Sequence, residues 1–479
     1  MLFNSLEFLV FFPIIVALYF ALPHRFRWIM LLLASYYFYM CWDYNYAILL
    51  LITTTINYFS GIGITKSRSM IYRKTYLILG LVASLGILFF YKYFNFFGNS
   101  FNAILEKLTI GSRIPVYDIL LPVGISFYTF QSLNYTIDVY MRKKEAEYHF
   151  GIFALYVSFF PQILAGPISR STSLLPQFFE KHHFNYTQVR DGILMIIWGF
   201  FKKVVIADRL SEYVNLVYAD PTAFGSIQLI LATTFFTVQI YCDFSGYSDI
   251  AIGTAKIMGF SLMKNFNRPY FARSIREFWQ RWHISLSTWF KDYLYIPLGG
   301  NRVPKARWYF NLFITFLISG LWHGANWTFV IWGALHGFYM VFAIWILKIK
   351  DYVNRKLGII RFPQLHSFIQ VSITFILVWF AWIFFKARSF DDALLIIKNI
   401  FVGKPGGELN LFYFSSDFYV ALVLIPFLFV VEFLEERTGF WNRLQTIPGF
   451  YKWAILITIV LSIFILGKWE DIDFLYFQF

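Results

Sequence analysis

The sequence predicts an all-α integral membrane protein: roughly 11 to 13 transmembrane helices, a few of them re-entrant or interfacial, in a single polytopic domain over residues 1–479. Three observations predict it. Of the 479 residues, 58% are hydrophobic and 14% charged, where soluble domains carry about 45–50% and about 25%. Apolar runs of bilayer-crossing length recur from one end to the other. The 41 Lys and Arg, against 27 Asp and Glu, fall mainly in short loops between those runs. On a soluble chain the net charge of +14 would suggest nucleic acid. Placed in loops it is an orientation signal, and it argues against nucleic-acid binding. The 23% of aromatic residues suit a lipid-facing surface and its two interfaces.

A helix crosses a bilayer with about 20 apolar residues. Candidate spans lie at 5–22, 28–42, 45–61, 76–97, 119–140, 150–168, 190–206, 226–245, 308–322, 327–347, 367–385, 417–434 and 451–468. The first has no Lys or Arg ahead of it and carries Glu7, so it reads as a retained span and not a cleaved signal. Three loops are basic: 62–75 with Lys66, Arg68, Arg73 and Lys74; 302–307 with Arg302, Lys305 and Arg307; and 348–361 with Lys348, Lys350, Arg355, Lys356 and Arg361. All three are expected in the cytoplasm. Counting spans outward from them puts the N-terminus and the terminal FLYFQF on the extracytoplasmic side. No internal repeat or low-complexity linker is visible, and no stretch leaves room for a second, soluble domain. Cys41 and Cys242 show neither CxxC nor zinc spacing, and no histidine pair has HExxH spacing. Neither a disulfide framework nor a metal is expected.

Two polar clusters interrupt the apolar pattern. The first is SGLWHGANWTFVIWGALHG at 319–337. The helix starting near Arg307 runs outward and the next returns to Lys348, so WHGAN is the turn between them. His323 lies 16 residues beyond Arg307, about 24 Å up at about 1.5 Å per residue, in the outer half of the membrane. Gly320, Gly324 and Asn326 loosen the backbone there, which is tolerated only inside protein or beside a water-filled cavity. His323 is therefore expected at the floor of a pit open to the outside. An ionisable group inside a membrane is functional by default; the bland alternative is a satisfied buried histidine bonded to a neighbouring helix. His336, flanked by Gly333 and Gly337, reads as a packing and hydrogen-bonding residue. His24, His149, His182, His183 and His366 sit in polar loops, where solvation is the default.

The second cluster covers 241–302. On a helical wheel, REFWQRWHISLSTWFKDY places Phe278, Trp282, Leu286, Trp289 and Tyr293 on one face. Arg276, Gln280, His283, Ser287 and Lys291 fall on the other, and Arg281 belongs to the same basic stretch. This predicts an amphipathic helix at the inner interface. Its basic face either holds a phosphate-bearing carrier or anchors the helix to anionic lipid, and charge pattern alone favours neither. In CDFSGYSD, Ser245 is not a nucleophile elbow, because Asp243 stands where a glycine is needed. Asp243 and Asp249 are either acid/base carboxylates or pairing and capping groups. Spacing favours the structural role for Asp249 and leaves Asp243 open.

These stretches resemble the membrane-bound O-acyltransferase family, in particular its bacterial alginate and peptidoglycan O-acetyltransferase branch. The resemblance is carried by LPVGISFYTFQSLNYTIDVY (121–140), FFPQILAGPISR (159–170), CDFSGYSDIAIG (242–253), NFNRPYFARSIREFWQRWHISLSTWFKDYLYIPLGGNR (265–302), LISGLWHGANWTFVIWGALHG (317–337) and the terminal FLYFQF. It covers nearly the whole chain, with 360–470 the least distinctive part. It implies a ring of membrane helices around a thinned central channel in the bacterial inner membrane, with a catalytic core at roughly residues 119–347. It implies that His323 is the catalytic residue and His283 the second family position, on the cytoplasmic side of the channel. Donor then enters from the cytoplasm and acceptor from the outer face. A separate periplasmic SGNH-type partner is implied to carry the acyl group on to a polysaccharide such as alginate. No permanently bound cofactor is implied; the donor is acetyl-CoA or an acyl carrier protein.

Acyl transfer from a thioester to a hydroxyl requires removal of the hydroxyl proton, and a buried neutral imidazole suits that task. His323 is therefore expected as general base, with a covalent acyl-histidine as the less favoured alternative. Trp322, Asn326 and the backbone near Gly324 are within sequence reach as oxyanion donors. Asp243, Ser245, Arg276, Gln280 and Arg281 are the candidate channel residues. A transporter or flippase predicts inverted repeats with paired broken helices, which the sequence lacks. A non-catalytic subunit of an export complex predicts tolerance of change at His323 and His283. Chain length, FSGYSD and FLYFQF disfavour D-alanine transfer to teichoic acid.

Overall fold

The computed structural model describes residues 1–164, 166–403, 416–444, 448–469 and 475. Helix follows helix, with no strand among the described residues. The first half contains α1 (Leu6–Ala21), α2 (His24–Met40), α3 (Tyr44–Lys66), α4 (Met70–Leu88), α5 (Phe94–Lys107), α6 (Ile125–Tyr140), α7 (Phe150–Ser158), the single turn α8 (Ser171–Leu174), α9 (Tyr186–Phe200) and α10 (Asp208–Ala219). The second contains α11 (Ser226–Ile257), α12 (Ile275–Arg281), α13 (Ile284–Phe290), α14 (Lys305–His323), α15 (Trp327–Trp345), α16 (Leu347–Lys356), α17 (Pro363–Lys386), α18 (Phe390–Val402), α19 (Ser416–Thr438), α20 (Phe440–Leu444) and α21 (Gly449–Leu466).

Seven stretches among the described residues are long and apolar enough to cross a membrane: Tyr44–Lys66, Met70–Lys107, Ser226–Ile257, Trp327–Trp345, Pro363–Lys386, Ser416–Thr438 and Gly449–Leu466. The protein is thus a multi-pass, all-α membrane protein. Its lipid-facing surface is explicit on α21, where Phe450, Trp453, Ile457, Leu461, Phe464 and Ile465 are exposed at helical spacing. In water such a stripe would be unfavourable.

Several predicted spans are reshaped by their own residues. The helix expected over 150–168 ends at Ser158. The described residues from Phe159 to Arg170 run as turns and extended chain, because Pro161 and Pro167 bring no N–H to a helix. The span expected from 119 begins as helix only at Ile125, after Gly124 at φ +75°. At 190–206 the helix widens into a π-type turn, Phe201–Ala207, that holds Lys202 and Lys203 buried. The span at 226–245 continues to Ile257.

Contacts gather the chain into two compact units. Met1–Ile196 with Ile250–Met263 form one, and Ile197–Asp249 with Lys264–Gln478 form the other. In the first, polar side chains join helices that apolar faces alone would leave sliding. Asn57 of α3 donates to Ser84 Oγ of α4 (2.8 Å) and accepts from Thr136 Oγ1 of α6 (2.7 Å). Between membrane helices such bonds contribute about 0.6–2 kcal/mol each. The second unit holds the α14–α15 hairpin and the α12–α13 pair, and with them the candidate chemistry.

Candidate active site

His323 is the last residue of α14 and is 2% exposed. Glycines fix its place. A Cβ on Gly320 would stand 2.3 Å from the Phe329 carbonyl oxygen and 2.9 Å from Gly333 Cα, and one on Gly333 would stand 2.4 Å from the Phe316 carbonyl oxygen. The two helices therefore cross backbone to backbone, as small residues permit. At Gly324 the Phe329 ring lies 2.2 Å from where a Cβ would be. Rings enclose the imidazole: centroids lie 5.0 Å away for Trp332, 5.1 Å for Trp322 and 5.4 Å for Phe385. Three aromatic rings thus pack around a nearly buried His323.

The segment expected as one amphipathic helix is broken in two. α12 ends at Arg281, Trp282 is extended, and His283 takes φ +42° and ψ +54° before α13 begins. The break turns His283 off the polar face that an unbroken helix would give it, and it becomes fully buried. Its Nδ1 lies 3.2 Å from Asn265 Oδ1. The Ser285 backbone N–H (3.2 Å) and hydroxyl (2.9 Å) donate to the same oxygen, while Asn265 Nδ2 donates to Ser248 Oγ (3.1 Å). Asn265 thus presents oxygen to the imidazole, so Nδ1 carries the proton and Nε2 the lone pair. Burial pushes the His283 imidazole down to about 3, so it is neutral at physiological pH. The ring centroids of His283 and His323, 40 residues apart in sequence, are 6.4 Å apart.

A cavity of about 910 Å³ lies in the same unit. Arg276, Gln280, Ser287 and Lys291 line it, together with Asn301 and with Arg302 of the basic loop. On α14 its lining residues are Trp308, Leu312, Thr315, Phe316 and Ser319, one face at helical spacing. His323 comes one turn after Ser319 on that face.

The predicted site residues divide accordingly. His283, His323 and Trp322 come together; Trp322 lies 6.1 Å from His283, ring to ring, and is 4% exposed. Arg276 and Gln280 reach the cavity. Arg281 does not: its guanidinium pairs with Glu277 (2.7 Å) and Glu436 (2.9 Å), beside the Arg268–Glu436 pair at 2.6 Å. Asn326 is also corrected. Its oxygen accepts from Thr328 N (3.0 Å), capping α15, and its Nδ2 donates to the Arg388 carbonyl (3.0 Å), so the amide is committed to structure.

Asp243 and Ser245 lie away from the cavity, in a buried charge cluster. Lys203 Nζ bridges Asp208 (2.7 Å) and Asp243 (2.6 Å). Lys202 Nζ donates to Ser245 Oγ (2.9 Å) and pairs with Asp249 (2.7 Å). The second Asp243 oxygen accepts from the Leu475 amide at 2.9 Å. These contacts suit the pairing alternative for Asp243 among the two that spacing left open. Its neighbour does touch the site: the ring of Phe244 packs 4.6 Å from His283. Apart from Leu475, the terminal FLYFQF lies outside the described residues.

Four side chains escaped the sequence reading. Lys202 and Lys203 were visible as a cation pair inside an apolar run, the pattern that marks a buried partner. Asn265 and Trp279 left no such signal. His336 behaves as its glycine flanks suggest: it is fully buried, and its Nδ1 accepts from Trp279 Nε1 at 3.2 Å. In a polar loop, His149 accepts from Ile152 N at 3.1 Å and caps α7.

A family model described as MBOAT, membrane-bound O-acyltransferase family, matches residues 141–389. A probable alginate O-acetylase AlgI of Pseudomonas aeruginosa is 41% identical over 406 residues, 84% of this chain and 75% of that protein. Its namesake from Pseudomonas putida is 37% identical and is covered end to end, as is this chain. A peptidoglycan O-acetyltransferase of Helicobacter pylori is 37% identical over 79% of this chain and 74% of its own length.

Proposed function

This chain belongs to the membrane-bound O-acyltransferase family and is an O-acyltransferase; we propose on that premise that it takes an acetyl group from a cytoplasmic thioester and passes it across the inner membrane for O-acetylation of an extracytoplasmic polysaccharide. The observation that supports this most is the meeting of His283 and His323 one helical turn beyond a cavity bearing Arg276, Lys291 and Arg302. Three cations at a cavity suit phosphate. Acetyl-coenzyme A and an acyl carrier protein both present phosphate at one end of a flexible arm and a thioester at the other. The α14 face from Trp308 to Ser319 climbs about 16 Å at about 1.5 Å per residue, a distance that an arm spans and free acetate does not. Arg302 belongs to the loop read as cytoplasmic, so the arm enters from that side.

In the transfer itself, a hydroxyl oxygen attacks the thioester carbonyl while His323 takes the hydroxyl proton. The tetrahedral intermediate then expels the thiolate, which recovers that proton from the imidazolium, leaving an ester and a free thiol. His283 contributes the Nε2 lone pair, orienting an N–H or O–H beside His323. Trp322, whose ring neighbours both imidazoles, is the side-chain donor assigned to the developing oxyanion. The relatives named as probable alginate O-acetylases and as a peptidoglycan O-acetyltransferase favour a polysaccharide acceptor; delivery to it is assigned to a periplasmic SGNH-type partner.

The test compares wild type with His323→Ala at equal membrane levels, scoring O-acetyl ester on secreted and wall polysaccharides. Loss of a general base should lower ester about 100-fold or more. Near wild-type ester in the variant overturns the role of His323. No ester above an empty host overturns the activity.

A further inference from the structure

We infer that Trp279, held in place by His336, sets the length of the acyl group delivered to His323 and restricts the donor to short-chain thioesters. This rests on the reading of the cavity as the donor site. Trp279 lines that cavity and is 7% exposed. Its ring lies 5.2 Å from Phe316 and 5.6 Å from Trp332, and Trp332 lies 5.0 Å from His323. Phe316, Trp279, Trp332 and His323 are thus joined by successive ring contacts, and Trp279 is a cavity-lining ring two contacts from His323. Beside it the cavity wall changes from Arg276, Gln280 and Lys291 to Ile284, Phe316 and Met340. Such a wall meets hydrocarbon, not phosphate.

The indole has no free swing. Its Nε1–H donates to His336 Nδ1 at 3.2 Å, and the imidazole stands edge to face with it at 5.0 Å and 84°. An indole can only donate, so His336 carries its proton on Nε2. His336 is itself fixed: it is fully buried, and a Cβ on the neighbouring Gly337 would stand 3.1 Å from Phe313 Cα and carbonyl oxygen. His336 does not line the cavity and is a positioning residue. A wall so held rejects an acyl chain that needs it to move, because overpacking a close-packed surface is unfavourable. One methylene in an apolar pocket changes rate by about 10–200-fold.

The experiment measures thiol release by the full chain in membrane vesicles supplied with the host's periplasmic fraction as acceptor and given acetyl, propionyl and butyryl groups, each on coenzyme A and on acyl carrier protein. A His323→Ala background is subtracted. Wild type should use acetyl at least about 10-fold faster than butyryl. Trp279→Leu should narrow that ratio by about 10-fold. His336→Leu should narrow it in the same direction, and His336→Gln, which keeps an acceptor, should restore it. If Trp279→Leu does not reach the membrane, Phe316→Leu opens the same wall and should also narrow the ratio. Equal use of acetyl and butyryl by wild type overturns the inference, as does an unchanged ratio in the inserted variants. If neither acetyl donor is consumed, the reading of the cavity fails as well; acetyl transfer with an unaffected ratio sinks only the length filter.

Discussion

At φ +42°, His283 occupies a backbone region that few non-glycine residues enter, with Asn, Asp and His the most frequent. His283→Asn should therefore be less destabilising than His283→Val, by about 1–2 kcal/mol, in thermal unfolding of the detergent-solubilised protein. Equal losses would show that backbone strain is not the constraint. Burial also makes His283 a pH-dependent element of stability. Its folded pKa of about 3 lies below the value of about 6.5 expected when unfolded. The unfolded chain therefore binds the extra proton between these values. The contribution of His283 is complete above about pH 6.5 and is lost as pH falls toward 3. His283→Asn should flatten the fall in melting temperature between pH 7 and pH 4.5; an unchanged slope would place the acid sensitivity elsewhere. His323 was legible as an ionisable residue among glycines in an apolar run. The burial of His283 was not, because a helical wheel assumes an unbroken helix and neither Gly nor Pro marks the break.

Elements meet where side chains are missing. Gly320→Ala or Gly333→Ala would force α14 away from α15 and lower stability by about 1–3 kcal/mol. Because His323 follows Gly320 by one turn, ester formation should fall in the protein that still inserts. Gly86 of α4 is the contrast: a Cβ there meets nothing within 4 Å, so Gly86→Ala should leave transfer unchanged and add up to about 1 kcal/mol of helix stability. If all three variants behave alike, the crossing is not what seats His323. The spans themselves were readable from apolar length. What length conceals is where a span stops being regular: the π-type turn around Lys202 and Lys203 and the folded-back chain after Ser158 are set by buried ion pairs and by prolines.

For the whole molecule, the basic loops predict one orientation. Cys41 is exposed just after α2, on the side predicted to be extracytoplasmic, while Cys242 is buried. A membrane-impermeant maleimide added to spheroplasts should label Cys41. In a Cys41→Ser background it should reach Lys305→Cys only after permeabilisation. The opposite pattern would reverse the assigned sides and the entry route of the donor. Loop charge predicts this orientation, which the labelling tests, but contacts between distant segments, such as Asp243 with Leu475, follow no sequence period. That contact has a consequence in time. Leu475 is 232 residues beyond Asp243, and ribosomes add about 5–20 residues per second. The amide that completes the Asp243 carboxylate is thus made about 10–50 s after it. Throughout that interval the nascent chain carries the Asp243 carboxylate with one acceptor still waiting while the segments that pack around it are still being made, and a ribosome that stalls during the later spans releases a protein already threaded through the bilayer but not yet finished at its centre.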